Sequence, residues 1–252
     1  MQITNSIAIV TGASSGIGAA TAHELARRGA AVVLAARRQA ELDAVAQRIT
    51  QAGGRALAVV ADMTNAADLV RLVDTTVQHF GGVHILVNNA GIEGGRSIAQ
   101  MTDETLELVM HTNLIAPIQL ARAVIPHFRQ ARRGAIVNIG SVASYTATTG
   151  VYAATKFGLR GATDALRREL RRDGIGVSLV APGFIRTPMT ASFPFPMAAP
   201  ELVALAVARV IERPRRAVFV PWWYRPLVWV NDAAPPLADW IVATMSARLP
   251  EA

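Results

Sequence analysis

The segment Tyr152-Ala-Ala-Thr-Lys156 sets a phenol and an ammonium four residues apart, on one face of a helix if the segment is helical. Free tyrosine titrates near pH 10 and exchanges protons poorly at neutral pH. A fixed cation beside it favours the phenolate, so this spacing predicts a Tyr152 pKa lowered by Lys156 and put to general acid/base use. Lys156 is the only lysine among 25 basic residues, and the chain has three tyrosines. That lone lysine falls four places after a tyrosine by chance in roughly one case in eighty, so the pair is read as chemistry.

A second constellation lies at the start of the chain. Ile7-Ala-Ile-Val-Thr-Gly-Ala-Ser-Ser-Gly-Ile-Gly18 reads as a strand, a glycine turn and the start of a helix. Glycine lets the backbone turn tightly and approach a pyrophosphate, and a helix N-terminus offers free N–H groups and a positive dipole end. Gly12, Ser14, Ser15, Gly16, Ile17 and Gly18 are therefore candidates for dinucleotide contact. Three glycines so spaced arise by chance in about one chain in ten, and it is the strand-to-helix placement that makes the motif informative. The next strand ends in Ala36-Arg37-Arg38, roughly twenty residues on, where an NAD site carries a carboxylate and an NADP site an arginine. Arg37 and Arg38 thus predict NADP(H).

Around these residues, short aliphatic runs alternate with stretches of helical period. Strands are expected near 7–11, 31–36, 56–61, 85–88, 135–139, 177–181 and 218–220. Helices are expected near 16–28, 39–52, 65–80, 102–128, 151–172 and 200–211. Gly29, Gly53, Gly81 and Gly134 stand where helices should stop. The pattern implies one α/β domain over 1–252, a doubly wound, Rossmann-like fold with a mostly parallel seven-stranded sheet.

With these elements in place, the chain resembles the short-chain dehydrogenase/reductase family in its Tyr-Lys form of about 250 residues. The resemblance runs from Ile7 to about Met189. It rests on Thr11-Gly12-Ala-Ser-Ser-Gly16-Ile-Gly18, Asp62, Asn88-Asn89-Ala90-Gly91, Asn113, Ser141, Tyr152 with Lys156, and Pro182-Gly183 with Thr187. It implies an NADP(H)-dependent oxidoreductase interconverting a ketone or aldehyde with an alcohol. Tyr152 would exchange the proton, Lys156 would lower its pKa and bind the nicotinamide ribose, and Ser141 would orient the substrate oxygen. Asn113 would hold a water linking Lys156 to solvent. Asp62 would touch the adenine, Asn89, Ala90 and Gly91 would border the cofactor cleft, Ile185 and Thr187 would hold the carboxamide, and Met63, Pro182 and Gly183 would also bind the cofactor. One departure stands out: Ser141 precedes Tyr152 by 11 positions, about two fewer than the family spacing. Ser144 is the fallback.

Composition narrows the rest. There is no cysteine, so no disulfide or thiol chemistry, and a cytoplasmic setting is expected. Mean hydropathy is +0.31. Apolar runs are interrupted by Arg, Asp or Pro, and no membrane span is expected. The net charge of +7 is spread along helices as arginine, which argues against nucleic acid. No metal-ligand cluster is evident. The short region between Pro188 and Pro200 carries Phe193, Phe195 and Met197 and suits an apolar carbonyl. Small residues at Gly158, Gly161, Ala162 and Ala165 suggest helix packing between copies, hence a homo-oligomer (dimer or tetramer). The tail 214–252 is hydrophobic and Trp-rich. Packing on the domain or on a sister subunit is its expected role, and a membrane-surface contact the alternative. Two other functions fit the same motifs: a non-catalytic NADP-binding regulator, and a peripheral membrane reductase for lipid ketones.

Overall fold

A computed structural model describes residues 1–95, 97–147, 150–192 and 196–246. Its centre is a seven-stranded sheet in the order β3-β2-β1-β4-β5-β6-β7, parallel throughout. The strands are β1 (Ile7–Thr11), β2 (Ala31–Ala36), β3 (Arg55–Val60), β4 (Ile85–Asn88), β5 (Ala135–Ile139), β6 (Gly176–Pro182) and β7 (Ala217–Val220). The helices are α1 (Gly16–Arg27), α2 (Gln39–Gln51), α3 (Ala66–Phe80), α4 (Asp103–Met110), α5 (Ala116–Ala131), α6 (Gly150–Glu169), α7 (Pro200–Glu212), α8 (Tyr224–Ala233) and α9 (Pro235–Ser246).

The inner strands are apolar at nearly every position because both faces are covered, as parallel sheets require. Alternation by two then divides them. Ala8, Val10, Val32, Leu34, Ile85 and Val87 meet α1, α2 and α7 through Leu25, Leu42, Val45, Val207 and Ile211. Ile9, Val33, Leu86 and Ile136 meet α3 and α5 on the other face through Leu69, Leu72, Leu120, Val124 and Phe128. The strand order reverses between β1 and β4, which opens a crevice at the strands' C-terminal ends. The glycine loop and the loop after β4 both end there.

The structure refines three expectations. The helix expected over 102–128 runs from Asp103 to Ala131 and carries a wide turn, His111–Ile115, with i+5 pairing. The run Asp103–Ala131 also has the length and hydropathy (1.3) of a membrane span, contrary to the reading of its interruptions, but half of that window is buried inside the protein. It is a core element, with Leu120, Val124 and Phe128 against the sheet. Finally, α1, α2 and α3 are followed by Gly29, Gly53 and Gly81 with positive φ, but α5 turns left-handed at Arg132. Gly134 is small for another reason: the Phe128 ring lies where its Cβ would stand, 2.4 Å from Cδ2.

The tail forms β7, α8 and α9. Val228 and Ala238 are buried, while Trp222, Trp223, Trp229 and Trp240 stay exposed. Phe193 and Phe195 lie outside the described residues.

Candidate active site

The crevice at the strand ends is a cleft of about 580 Å³. Its dinucleotide end is built by the glycine loop. Gly12 and Gly16 take φ of +63° and +54°, a region that side chains avoid. A Cβ on Gly18 would lie 2.2 Å from Gly12 O, so α1 can start against the loop only with glycine there. Ser15 caps α1 without a side-chain bond, leaving first-turn N–H groups directed at the cleft. Arg38 Nη2 donates to Ser14 Oγ at 2.9 Å and Ser15 Oγ at 3.2 Å, and its guanidinium pairs with Glu41 at 3.3 Å. Asp62 accepts from Thr64 N and Thr64 Oγ1, both at 2.8 Å. Chiefly the Thr64 backbone bond, with smaller help from the Thr64 hydroxyl and Arg37, holds its pKa below the usual value against burial.

The loop after β4 is tied to the glycine loop. Asn89 N and Ala90 N both donate to Thr11 Oγ1 at 3.0 Å, and Asn89 Nδ2 donates to Thr11 O at 2.9 Å and Gly12 O at 3.2 Å. The Asn89 amide is thus spent on backbone. Beside it, Asn113 is fully buried in the wide turn after α4. Its Oδ1 accepts from Ile92 N at 2.9 Å, and its Nδ2 donates to Ile92 O at 2.9 Å and Thr155 Oγ1 at 3.2 Å. Both ends of that amide clamp the Ile92 backbone, so Asn113 acts on the cleft through Ile92 and is not itself on the wall.

The Tyr-Lys face comes from α6, which is fastened to the sheet by polar bonds in the core. Asn88 Nδ2 donates to Asn138 Oδ1 and Asn138 Nδ2 to Thr163 Oγ1, each at 2.8 Å. Lys156 is buried, and its Nζ donates to Ile139 O at 3.0 Å and lies 5.4 Å from the Tyr152 ring centre. Ser141, at the end of β5, accepts from Ala143 N at 3.1 Å. Ser144 is buried, and its Oγ accepts from Ser141 N at 3.1 Å, which turns it away from the cleft. The fallback serine is therefore a bracing residue for Ser141.

The electrostatics differ from the expectation. Tyr152 has its pKa pushed up to about 12, mainly by burial, against an opposing hydrogen bond with Ser141 and aided by the Glu93 carboxylate. Lys156 is pulled down to about 8 by burial. The lowering of Tyr152 by Lys156 expected from the spacing is thus not what the packing produces. Desolvation penalises both charged forms, and one N–H of the ammonium is engaged by the Ile139 carbonyl.

Of the residues singled out from sequence, Gly12, Ser14, Ser15, Gly16, Ile17, Arg37, Arg38, Asp62, Met63, Asn89, Ala90, Gly91, Ser141, Tyr152, Lys156, Pro182, Gly183, Ile185 and Thr187 line this one cleft. Gly18 and Asn113 stand behind it, and Met197 is not on its wall. Sequence reasoning missed Ile92, Leu108, Thr112, Met189 and Thr190, which also line it. Leu108 and Thr112 are four apart and share a helix face, but only the packing against α6 shows which way that face looks. Glu93, whose charge reaches Tyr152, had no sequence signal.

A family model described as short chain dehydrogenase matches residues 6–195. A 3-oxoacyl-acyl-carrier-protein reductase, FabG, of Pseudomonas aeruginosa is 39% identical over 196 residues, spanning 77% of this chain and 79% of that protein. The 11-beta-hydroxysteroid dehydrogenase A of Sesamum indicum is 32% identical over 272 residues, 99% of this chain and 78% of that one. Among solved structures, a variant of actinorhodin polyketide ketoreductase with NADPH superposes with a TM-score of 0.81 at 31% identity, covering 86% of this chain and 95% of that one. The matched span contains β1 to β6, the glycine loop and the Tyr152–Lys156 face, and the chain belongs to the short-chain dehydrogenase/reductase family of oxidoreductases.

Proposed function

We propose that this chain is an NADP(H)-dependent reductase that interconverts an apolar ketone or aldehyde with its alcohol, Tyr152 exchanging the proton. The observation that carries the reading is that Ser141, Tyr152 and Lys156 share one cleft with the glycine loop and the Arg37–Arg38 pair. The dinucleotide end fits such a cofactor: a bare glycine cradle, a helix N-terminus, and two exposed guanidiniums at the end of β2. When bound, the nicotinamide supplies or accepts the hydride.

The residues of the chain do the rest. A phenol with a pKa of about 12 holds its proton throughout the neutral range, so the donor form is present, and the proton leaves it only as negative charge grows on the carbonyl oxygen. The hydroxyls of Ser141 and Tyr152 converge and stabilise negative charge as it grows on that oxygen. Lys156, still protonated at neutral pH, opposes the charge left on the phenol. Asn113 and Thr155 fix the Ile92 segment beside them. Ile92, Leu108 and Met189 give the substrate end an apolar lining.

NADPH consumption with a panel of 3-oxoacyl thioesters, steroid ketones and simple aldehydes tests the reaction class. No turnover on any member, with NADPH bound, would favour the regulator. Arg37→Ala should cost about tenfold to a hundredfold in NADPH affinity and little in NADH affinity, because a charge-assisted bond to the 2′-phosphate is lost. Calorimetric titration with both cofactors checks this, and equal affinities in the unaltered protein would remove the NADP assignment.

We also read α6 as a contact between copies. Its exposed stripe is Ala154, Phe157, Gly161, Ala165 and Arg168, whereas Gly158 is taken up within the chain by Leu114. Gly161→Glu should shift sedimentation velocity towards the monomer. An unchanged profile would place the contact elsewhere.

A further inference from the structure

Helix α8 lies beyond the span that the family model matches, yet it touches both walls of the substrate end of the cleft. The first wall is the segment after β6. Gly183 lines the cleft, and the ring of Tyr224 lies on it so closely that a Cβ there would be 2.1 Å from Tyr224 Cε2. Phe184 N donates to Tyr224 Oη at 3.4 Å. From the other side the same segment is held by Ala198, whose N donates to Phe184 O at 3.1 Å and whose O accepts from Arg186 N at 2.9 Å. The backbone of 183–186 is therefore fixed between Ala198 and the Tyr224 ring, immediately before Thr187.

The second wall is the turn after β5 that carries Ser141. Two turns along α8 from Tyr224, Asn231 Nδ2 donates to Tyr145 O at 3.4 Å, at the end of that turn. Tyr145 is itself wedged, its ring 4.9 Å from Phe219 of β7 and 4.0 Å below the Arg160 guanidinium of α6. One short helix, buried through Val228, thus spans the gap between the wall bearing Ser141 and the wall bearing Gly183 and Ile185. Two walls tied to one helix are restrained in their separation. That separation decides where a carbonyl held between them lies relative to Ser141 and Tyr152.

We propose that α8 is a strap across the substrate end, with Tyr224 and Asn231 as positioning residues for the reaction. This rests on the reductase reading above and deepens it. The ring of Tyr224, rather than its hydroxyl, does the seating, since the hydrogen bond is long and the ring contact close.

The test separates contact from catalysis. In thermal melts, Gly183→Ala should lower the midpoint when Tyr224 is present and have little effect in a Tyr224→Ala background, because the new methyl group then has room. That arm needs no turnover, so it stands even if Tyr152→Phe were to remain active and the proton-donor reading were to fall. In kinetics, Tyr224→Ala should lower kcat by about tenfold to a hundredfold through misplacement of the reacting groups. KM for the carbonyl should rise, and NADPH affinity should fall by no more than about tenfold, since the glycine loop and Arg37 are untouched and only the carboxamide end loses its seat. Tyr224→Phe should recover the unaltered kcat, and Asn231→Ala should raise KM. Tyr224→Leu, which fills volume without lying flat on Gly183, is measured in parallel in case the alanine variant does not fold, and should show the same kcat loss. Unchanged kcat and KM in folded Tyr224→Ala or Tyr224→Leu, or a Gly183→Ala effect that persists in the Tyr224→Ala background, would overturn the proposal.

Discussion

Tyr152→Phe should keep NADPH binding and lose turnover by about 10²–10⁴-fold, the range general acid/base catalysis contributes. The substitution preserves the ring and its packing on α6 and removes only the hydroxyl. The dinucleotide contacts proposed at Gly12–Gly18, Arg37 and Arg38 lie at the other end of the cleft, so affinity should hold within a fewfold. Stopped-flow or steady-state NADPH consumption, with Kd determined separately by fluorescence titration, is the measurement. The pH profile adds a second criterion. Because the Tyr152 pKa is pushed up to about 12, the donor stays protonated from acid to well above neutrality, and reduction should not decline through Tyr152 in that range. A decline near pH 8 would belong to Lys156. Near-normal turnover in folded, NADPH-binding Tyr152→Phe would leave a dinucleotide-binding fold without the proposed chemistry.

The second large effect concerns Lys156, where function and stability should move in opposite directions. Lys156→Met removes the charge opposing the phenolate and should lower turnover by about a hundredfold or more. The same change should stabilise the protein at neutral pH. Lys156 titrates at about 8 in the folded chain against 10.5 for the free group, displaced by burial alone. The folded state therefore gives up this proton before the unfolded state does, and stability rises with pH between about 8 and 10.5. Below pH 8 the full cost of burying the ammonium is present, on the order of 2–4 kcal/mol for such a displacement. Loss of the bond to Ile139 O offsets about 1 kcal/mol of the gain. Melting curves should thus show Lys156→Met above the unaltered protein at pH 7, with the difference vanishing towards pH 10.5. Lys156→Arg tests geometry instead: a bulky planar guanidinium cannot occupy the space under the Tyr152 ring, so turnover should fall although charge is retained. A Lys156→Met protein that melts lower at pH 7 than at alkaline pH, relative to the unaltered chain, would refute the burial argument.

The sheet and most of the cleft were legible in the residues themselves, for local reasons. Unbroken aliphatic runs announce strands covered on both faces, and a glycine loop between strand and helix announces its own geometry. The pair Tyr152 and Lys156 shares a helix face whatever surrounds it. These are short-range facts, set by spacing and by backbone freedom. What required the tertiary structure depends on which distant segments meet. The sign of the Tyr152 shift was one such case, since spacing supplies the Tyr-Lys pair but only packing supplies the burial that raises the phenol. The i+5 turn at His111–Ile115 was another. Local propensity favours regular i+4 pairing there, and only in the fold does Asn113 reach the Ile92 backbone. Glu93 and the seating of Tyr224 on Gly183 are likewise products of chain segments far apart in sequence. The residues that carry charge and flexibility were fixed by sequence. Their protonation and separation were decided by burial and by the elements that close around them.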